Sequence, residues 1–290
     1  MAAKLDLTTP PTPLQYFAAL VAHDDGLPLL EAAAAIAQHA QPTLDTQAVL
    51  AEVDQLGDVL RRRIPADAGA LQRLQLLNRY FFKELGFSGN LNHYEDPANS
   101  DLLQVLARRR GIPISLAVLY MELAAHAGLS ADGVSFPGHF LVKLHLPQGE
   151  VVMDPFSGRS LSRDELEERL QPWRSRMALS ADDEPPLGLF LQAATPRDIL
   201  ARMLRNLKAI HQGARDLPQL LSVQERLVAL LPDDLLERRD RALIDGQLGR
   251  LDRACTDLAA YLQAHPDAED APALRDQLAR WRQAPPATLH

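Results

Sequence analysis

Asn99 to Phe156, NSDLLQVLARRRGIPISLAVLYMELAAHAGLSADGVSFPGHFLVKLHLPQGEVVMDPF, is the stretch whose reading decides the fold. Pro113 stands where a first helical residue is favoured, and SLAVLYMELAAHAG carries a largely apolar, buried helix to a glycine cap at Gly128. GVSF and HFLVKLHL then read as strands, the second with Phe140, Val142, Leu144 and Leu146 on one face and His139, Leu141, Lys143 and His145 on the other. PQGE is a turn, VVMD a further strand ended by Pro155, and DPFSGRSLSRDELEERL a loop running into another helix. Upstream, Asn99 or Ser100 can cap the helix that follows, Asp101 suits its first turn, and Gly111 can end it after three arginines.

Working outward, Pro13 to Leu85 shows helical spacing in LLEAAAAIAQHA, VLAEVDQLGDVL and LQRLQLLNRYFF. GFSGNLNHYEDPANS, rich in Gly, Asn and Asp, reads as an ordered loop. Around Ser180 to Arg197 the chain turns loop-like, with ADDEPPLG and ATP marking a boundary. Beyond it LVALLPDD and YLQAHPDA place Pro232 and Pro266 one helix-turn-helix unit apart, and Ile210 with Ile244 and Leu217 with Leu251 keep the same offset. Two such units bury too little surface to stand alone, so they are expected to pack on the preceding domain. The organisation expected is an N-terminal extension over 1–27, a helical region and core domain over 28–190, and helical repeats over 191–290.

With 47% apolar and 23% charged residues in 290, the chain has the composition of an ordinary globular protein, and aromatics at only 5% favour helices. The net charge of -8 argues against a general nucleic-acid surface. The basic clusters Arg61–Arg63 and Arg108–Arg110 fall at helix ends, where cations complement the dipole; a docking patch for an acidic partner is the other reading. No run approaches the roughly 18 apolar residues of a membrane span, and QYFAALVAHDD lacks the basic start of a signal peptide, so a cytoplasmic protein with no membrane partner is expected. Cys255, the single cysteine, supplies neither a disulfide nor a thiolate metal cluster and reads as a packing thiol.

Ser115, His139 and Asp154 follow in the order nucleophile, base, orienter. Each also has a plain structural reading. The Ser115 hydroxyl can satisfy a backbone group in the first helical turn, and His139 can do the same at a strand entry. If PQGE pairs Leu146 with Val151, Asp154 falls opposite Lys143 and forms a cross-strand ion pair, four residues beyond His139. An oxyanion hole would need the Ser115 amide and an amide from Asn92 or Asn99, both equally at home as turn or cap residues. The nine histidines are scattered, so no metal site is expected, and the absence of glycine-rich phosphate motifs indicates no nucleotide cofactor.

Taken together, NHYEDPANS, RRGIPISLAVLY, FPGHFLVKL, DPFSG and the terminal repeats resemble the SirB-type family, which joins a transglutaminase-like domain to tetratricopeptide-like repeats. The resemblance covers nearly the whole chain from about residue 28. It implies an α+β, mostly helical fold: a papain-like core with a small antiparallel sheet, followed by helical repeats. It also implies that Ser115 occupies the position of a nucleophilic cysteine at a helix N-terminus. A hydroxyl is far less acidic than a thiol, so His139 would have to remove its proton during attack. The expectation is therefore a degenerate transglutaminase-like domain that binds a protein or peptide, with Asn92, Tyr94 and Asn99 as candidate binding residues. The competing expectation is a serine-dependent amidase, peptidase or acyltransferase using the triad, and a third is a constellation that only rigidifies the fold.

Overall fold

Helix α6 (Pro113–His126) is the axis around which the first core is built in this computed structural model, which describes residues 10–177 and 185–284. Its Pro113 occupies the first helical position, and Leu116, Ala117, Leu119, Tyr120, Leu123 and Ala124 are all buried. Gly128, left-handed at φ 72°, closes it, with the Gly128 and Leu129 amides donating to Ala125 and Ala124 carbonyls. Preceding it are α1 (Pro13–Leu20), α2 (Leu29–Ile36), α3 (Thr46–Arg63), α4 (Ala70–Asn78) and α5 (Leu102–Arg108). The expected helix LQRLQLLNRYFF is present, but its end widens into a π turn over Arg79–Glu84. Residues 10–27 contribute Phe17, Val21 and Leu27 to the same core.

The cap of α5 is Asp101, two residues past Asn99 and one past Ser100. Asp101 Oδ1 accepts from the Leu103 and Gln104 amides at 2.9 and 3.3 Å. The helix ends on Arg109, left-handed at φ 57°, before Gly111 is reached. Gly111 is needed elsewhere: with Arg110 it forms β2 (Arg110–Gly111), parallel to β1 (Ser88–Gly89) inside the expected loop.

After α6 comes an antiparallel sheet in the order β3 (Ser130–Val134), β4 (Leu141–Leu146), β5 (Gly149–Asp154), β6 (Arg159–Leu161). Its alternation splits two cores. Phe140, Val142 and Leu144 join α6 on one face, while Leu141 and Val152 on the other meet Leu166 and Leu170 of α7 (Arg163–Arg176). The hairpin corrects the sequence-based register. Leu146 pairs with Gly149, so only Pro147 and Gln148 form the turn, made possible by Gly149 at φ 135°. Lys143 therefore faces Val152 and its ammonium pairs with Glu150 at 3.3 Å, leaving Asp154 opposite the level of Leu141 rather than Lys143.

Of the expected boundary, residues 180–184 lie outside the described residues. The rest holds α8 (Leu187–Phe190) and a bridge from Ala193 to Val134. Then follow α9 (Pro196–Ala214), α10 (Leu217–Leu230), α11 (Leu235–Gln247), α12 (Leu251–Ala264) and α13 (Ala271–Gln283). The offset noticed in sequence reappears in the backbone. Leu231 ends α10 at φ -122°, ψ 67° and His265 ends α12 at φ -124°, ψ 64°. Leu204 and Leu207 of α9 and Leu227 and Leu230 of α10 belong to the first core, so the repeats are supported by it as expected. At this junction two buried histidines meet: His39 Nδ1 donates to the Ile36 carbonyl at 3.0 Å, leaving its Nε2 to accept from His211 Nε2 at 3.0 Å. Burial pushes His39 down to about 4 and lowers His211 as well.

Candidate functional site

Because the hairpin turn is tight, Asp154 is level with Leu141, two residues from His139, and the two side chains meet. His139 Nε2 lies 2.8 Å from Asp154 Oδ1. Asp154 is 2% exposed and accepts from every side: the Phe156 amide at 2.9 Å, the Ser157 hydroxyl at 2.9 Å and Arg169 Nη2 at 3.3 Å. Burial alone would raise its carboxyl. The His139 hydrogen bond and charge, with Ser157 and the Phe156 amide, outweigh that and hold it well below the ordinary carboxylate range. An ionised carboxylate only accepts, so Nε2 carries a proton in this pair, and Nδ1 is the ring nitrogen left to face other partners. The His139 side chain keeps 21% of its surface open.

Ser115 is held differently. Its residue is 0% exposed, and its hydroxyl donates to the Asn99 carbonyl at 2.6 Å while lying 3.1 Å from the Ile112 carbonyl. It accepts in turn from the Ile112 amide at 3.2 Å. A hydroxyl has one hydrogen, and here main-chain oxygens take it; no hydrogen bond joins Ser115 to His139.

The β1–β2 pair serves both halves. A Cβ at Gly89 would lie 2.3 Å from the Phe156 ring, and one at Gly111 would lie 2.7 Å from Ser115 Oγ, so each glycine seats one half by close approach. Phe156 then presents an edge to His139 at 6.3 Å between centroids and to Tyr94 at 6.1 Å. Tyr94 and the imidazole thus share Phe156 as a neighbour, and Tyr94 is half exposed. Asn99 is buried, its amide nitrogen donating to His93 and Tyr94 carbonyls at 2.6 and 3.2 Å and its amide oxygen accepting from Asn90 and Arg108. It builds the loop that carries Tyr94. Asn92 is exposed, with no side-chain hydrogen bond among the described residues.

Three residues of the site were not found in the sequence reading: Ser157, Arg169 and Arg202. Ser157 had a signal in DPFS, since a residue three past an aspartate often closes a turn on it. Arg169 and Arg202 had none, because they come from α7 and α9. Arg202 Nη2 donates to the His139 carbonyl at 2.8 Å and Nη1 to Ser135 Oγ at 3.2 Å, pinning the turn that carries the imidazole. Among the described residues no three His, Cys, Asp or Glu side chains converge as metal ligands, and no helix is long and apolar enough to cross a membrane.

A four-stranded antiparallel sheet with a His-Asp pair, an apolar helix that starts at the turn holding Ser115 and a helical-repeat tail define a recognisable class. Residues 47–205 match the transglutaminase-like superfamily and residues 207–279 match the tetratricopeptide repeat. The chain belongs to the transglutaminase-like superfamily and, with its repeat tail, to the SirB-type family. It is 39% identical to a UPF0162 protein of Xylella fastidiosa (strain Temecula1) over 88% of this chain and 90% of that one. It is 33% identical to the UPF0162 protein PA3419 of Pseudomonas aeruginosa, covering 76% and 78%. Protein SirB1 of Salmonella typhimurium is 27% identical over 80% of this chain and 85% of its own. No solved structure matches.

Proposed function

We propose that this protein binds a protein or peptide partner, and that its transglutaminase-like domain does not use Ser115 as a nucleophile. The observation that supports this reading is the spent hydroxyl: Ser115 is fully buried and bonded to the main chain of Asn99 and Ile112. Attack would require breaking those bonds and exposing the group, before His139 could take its proton. The repeats offer a groove of about 580 Å³ with Leu217, Leu220 and Leu243 at its floor and Gln212, Arg215 and Gln247 among its polar walls. That size and lining suit a short peptide segment.

The test has two arms. A fluorophosphonate probe should leave Ser115 unlabelled in the full chain. On a peptide array, capture should fall at least tenfold in Arg215→Glu with Gln247→Glu, exposed groove positions, and survive Ser115→Ala. Capture unaffected by the groove changes would defeat the binding reading. The His139–Asp154 pair favours a second reading, a hydrolase or acyltransferase acting on amide bonds. Probe labelling lost in both Ser115→Ala and His139→Ala would establish that one instead.

A further inference from the structure

Arg202 is the one cation on α9 that pins the His139 turn, and its hydrogen bonds end on neutral acceptors: Ser135 Oγ and the Phe136 and His139 carbonyls. The guanidinium also lies over the Phe140 ring, 5.5 Å from its centroid. No carboxylate pairs with it among the described residues, whereas its neighbour Arg205 is bonded to both Glu237 and Asp234. Burial lowers Arg202 from its ordinary value, and the group bearing on it in the other direction is the Tyr94 phenol.

The same side chain lines a pocket of about 480 Å³ between α8, the 192–194 segment and α9. Leu189, Phe190, Ala193 and Ala194 give it an apolar wall; Leu189 is 54% exposed. Asp198 reaches the pocket, but its carboxylate is turned to the Thr195 amide and hydroxyl at 3.2 and 2.7 Å, capping α9. Guanidinium donors beyond those three acceptors remain, since the group carries five N–H bonds. A partly desolvated cation in a pocket with one apolar wall, lined on its polar side by Ser135, Gln192 and the carboxylate-paired Arg205, is a site for an anion that brings an apolar group with it.

We infer that Arg202 and this pocket recognise a carboxylate carried beside an aliphatic side chain, as at the C-terminus of a peptide or in an acidic-aliphatic pair within one. This deepens the peptide-binding reading and rests on it for the ligand being a peptide; the pocket itself is tested with small probes, separately from the repeat groove. In that arrangement the bound carboxylate completes the coordination of Arg202 one residue contact away from the His139 main chain.

The test is an ¹⁵N NMR titration of the full chain with N-acetyl-leucine, N-acetyl-leucinamide and N-acetyl-Glu-Leu-amide. N-acetyl-leucine should shift the Ser135–His139 amides and the Arg202 side-chain resonance, and the neutral leucinamide should bind at least tenfold more weakly. A tighter response to N-acetyl-leucine than to the Glu-Leu amide assigns a terminal carboxylate, and the reverse order a side-chain one. Arg202→Met should abolish the response and Arg202→Lys retain part of it. Because Arg202→Met removes the clamp on the turn and can unfold it, Gln192→Glu provides an independent variant: its added carboxylate on the exposed pocket wall should weaken N-acetyl-leucine at least fivefold in a folded protein. Equal binding of acid and amide, shifts confined to the repeat groove, or unchanged affinity in Gln192→Glu would overturn the assignment, whatever the outcome of the array experiment.

Discussion

The mouth of α6 and the β4–β5 ribbon hold the same kinds of polar side chain and use them in opposite ways. At the helix mouth Ser115 is closed in, its hydrogen given to the main chain and its oxygen receiving from it. On the ribbon Asp154 is equally buried, but it spends its bonds on orienting a ring that still reaches the surface. The difference teaches that a triad-like order of residues has to be judged by where each hydrogen goes. Under the proposed reading, a side chain whose hydrogen is given to the backbone serves the scaffold, while one aimed by a buried partner meets the ligand.

The sharpest way to break that comparison is Asp154→Ala. It strips the partner from His139, Arg169, Ser157 and the Phe156 amide together, and removal of one member of a buried charged network costs about 3–5 kcal/mol. Urea unfolding should report it, and a loss under 1 kcal/mol would mean the carboxylate is not organising the ribbon. The acid dependence of the same protein comes next. His39 titrates near 4 in the fold against 6.5 ordinarily, so the unfolded chain binds more protons between those values. Its contribution is whole above 6.5 and is lost as the pH falls toward 4, about 3 kcal/mol by the usual conversion of 1.4 kcal/mol per unit. The Asp154 carboxyl, lowered by the fold, is lost in the same direction but further into acid. Stability measured from pH 7 to 4 should therefore fall, and His39→Gln should flatten that slope if the histidine pair causes it. The residues packed on the pair include Arg226, while Asp216 acts in the opposite sense on His39.

Ser115→Ala should have a smaller effect, about 1–3 kcal/mol, from the Ile112 amide and Asn99 carbonyl left without their partner. The comparison would be sharpened further if Ser115→Ala changed melting temperature yet left peptide capture intact. Smallest of all is Asn92→Ala, which removes an exposed side chain without hydrogen bonds and should stay within about 0.5 kcal/mol. A larger thermal shift there would show that the loop bearing Tyr94 is tighter than its bonds suggest.

What could be read from the sequence was local or periodic. Pro113 and Gly128 mark the ends of α6 because each residue's own backbone preference does so. The repeats were visible because the same helix ends recur, down to the matching angles at Leu231 and His265. The two faces of β4 followed from alternation alone. The register did not, because one choice of turn length moved Asp154 from opposite Lys143 to the level of Leu141. Gly111 was read as the end of α5, which Arg109 supplies instead, and its place as a seat for Ser115 was hidden because its partner Gly89 is met only in space. Arg169 and Arg202 were hidden for the same reason: nothing near them in the chain announces a long-range contact.

The helix α9 is claimed by both halves of the molecule. The transglutaminase-like match ends at residue 205 and the repeat match begins at 207, both inside one unbroken helix of 19 residues. Its Ile199, Met203 and Leu204 fill the first core, and Lys208, Gln212 and Arg215 open onto the repeat groove. A cut between the two matches would sever that rod and uncover a hydrophobic seam, so the first core borrows part of its cover from the helix that opens the repeats.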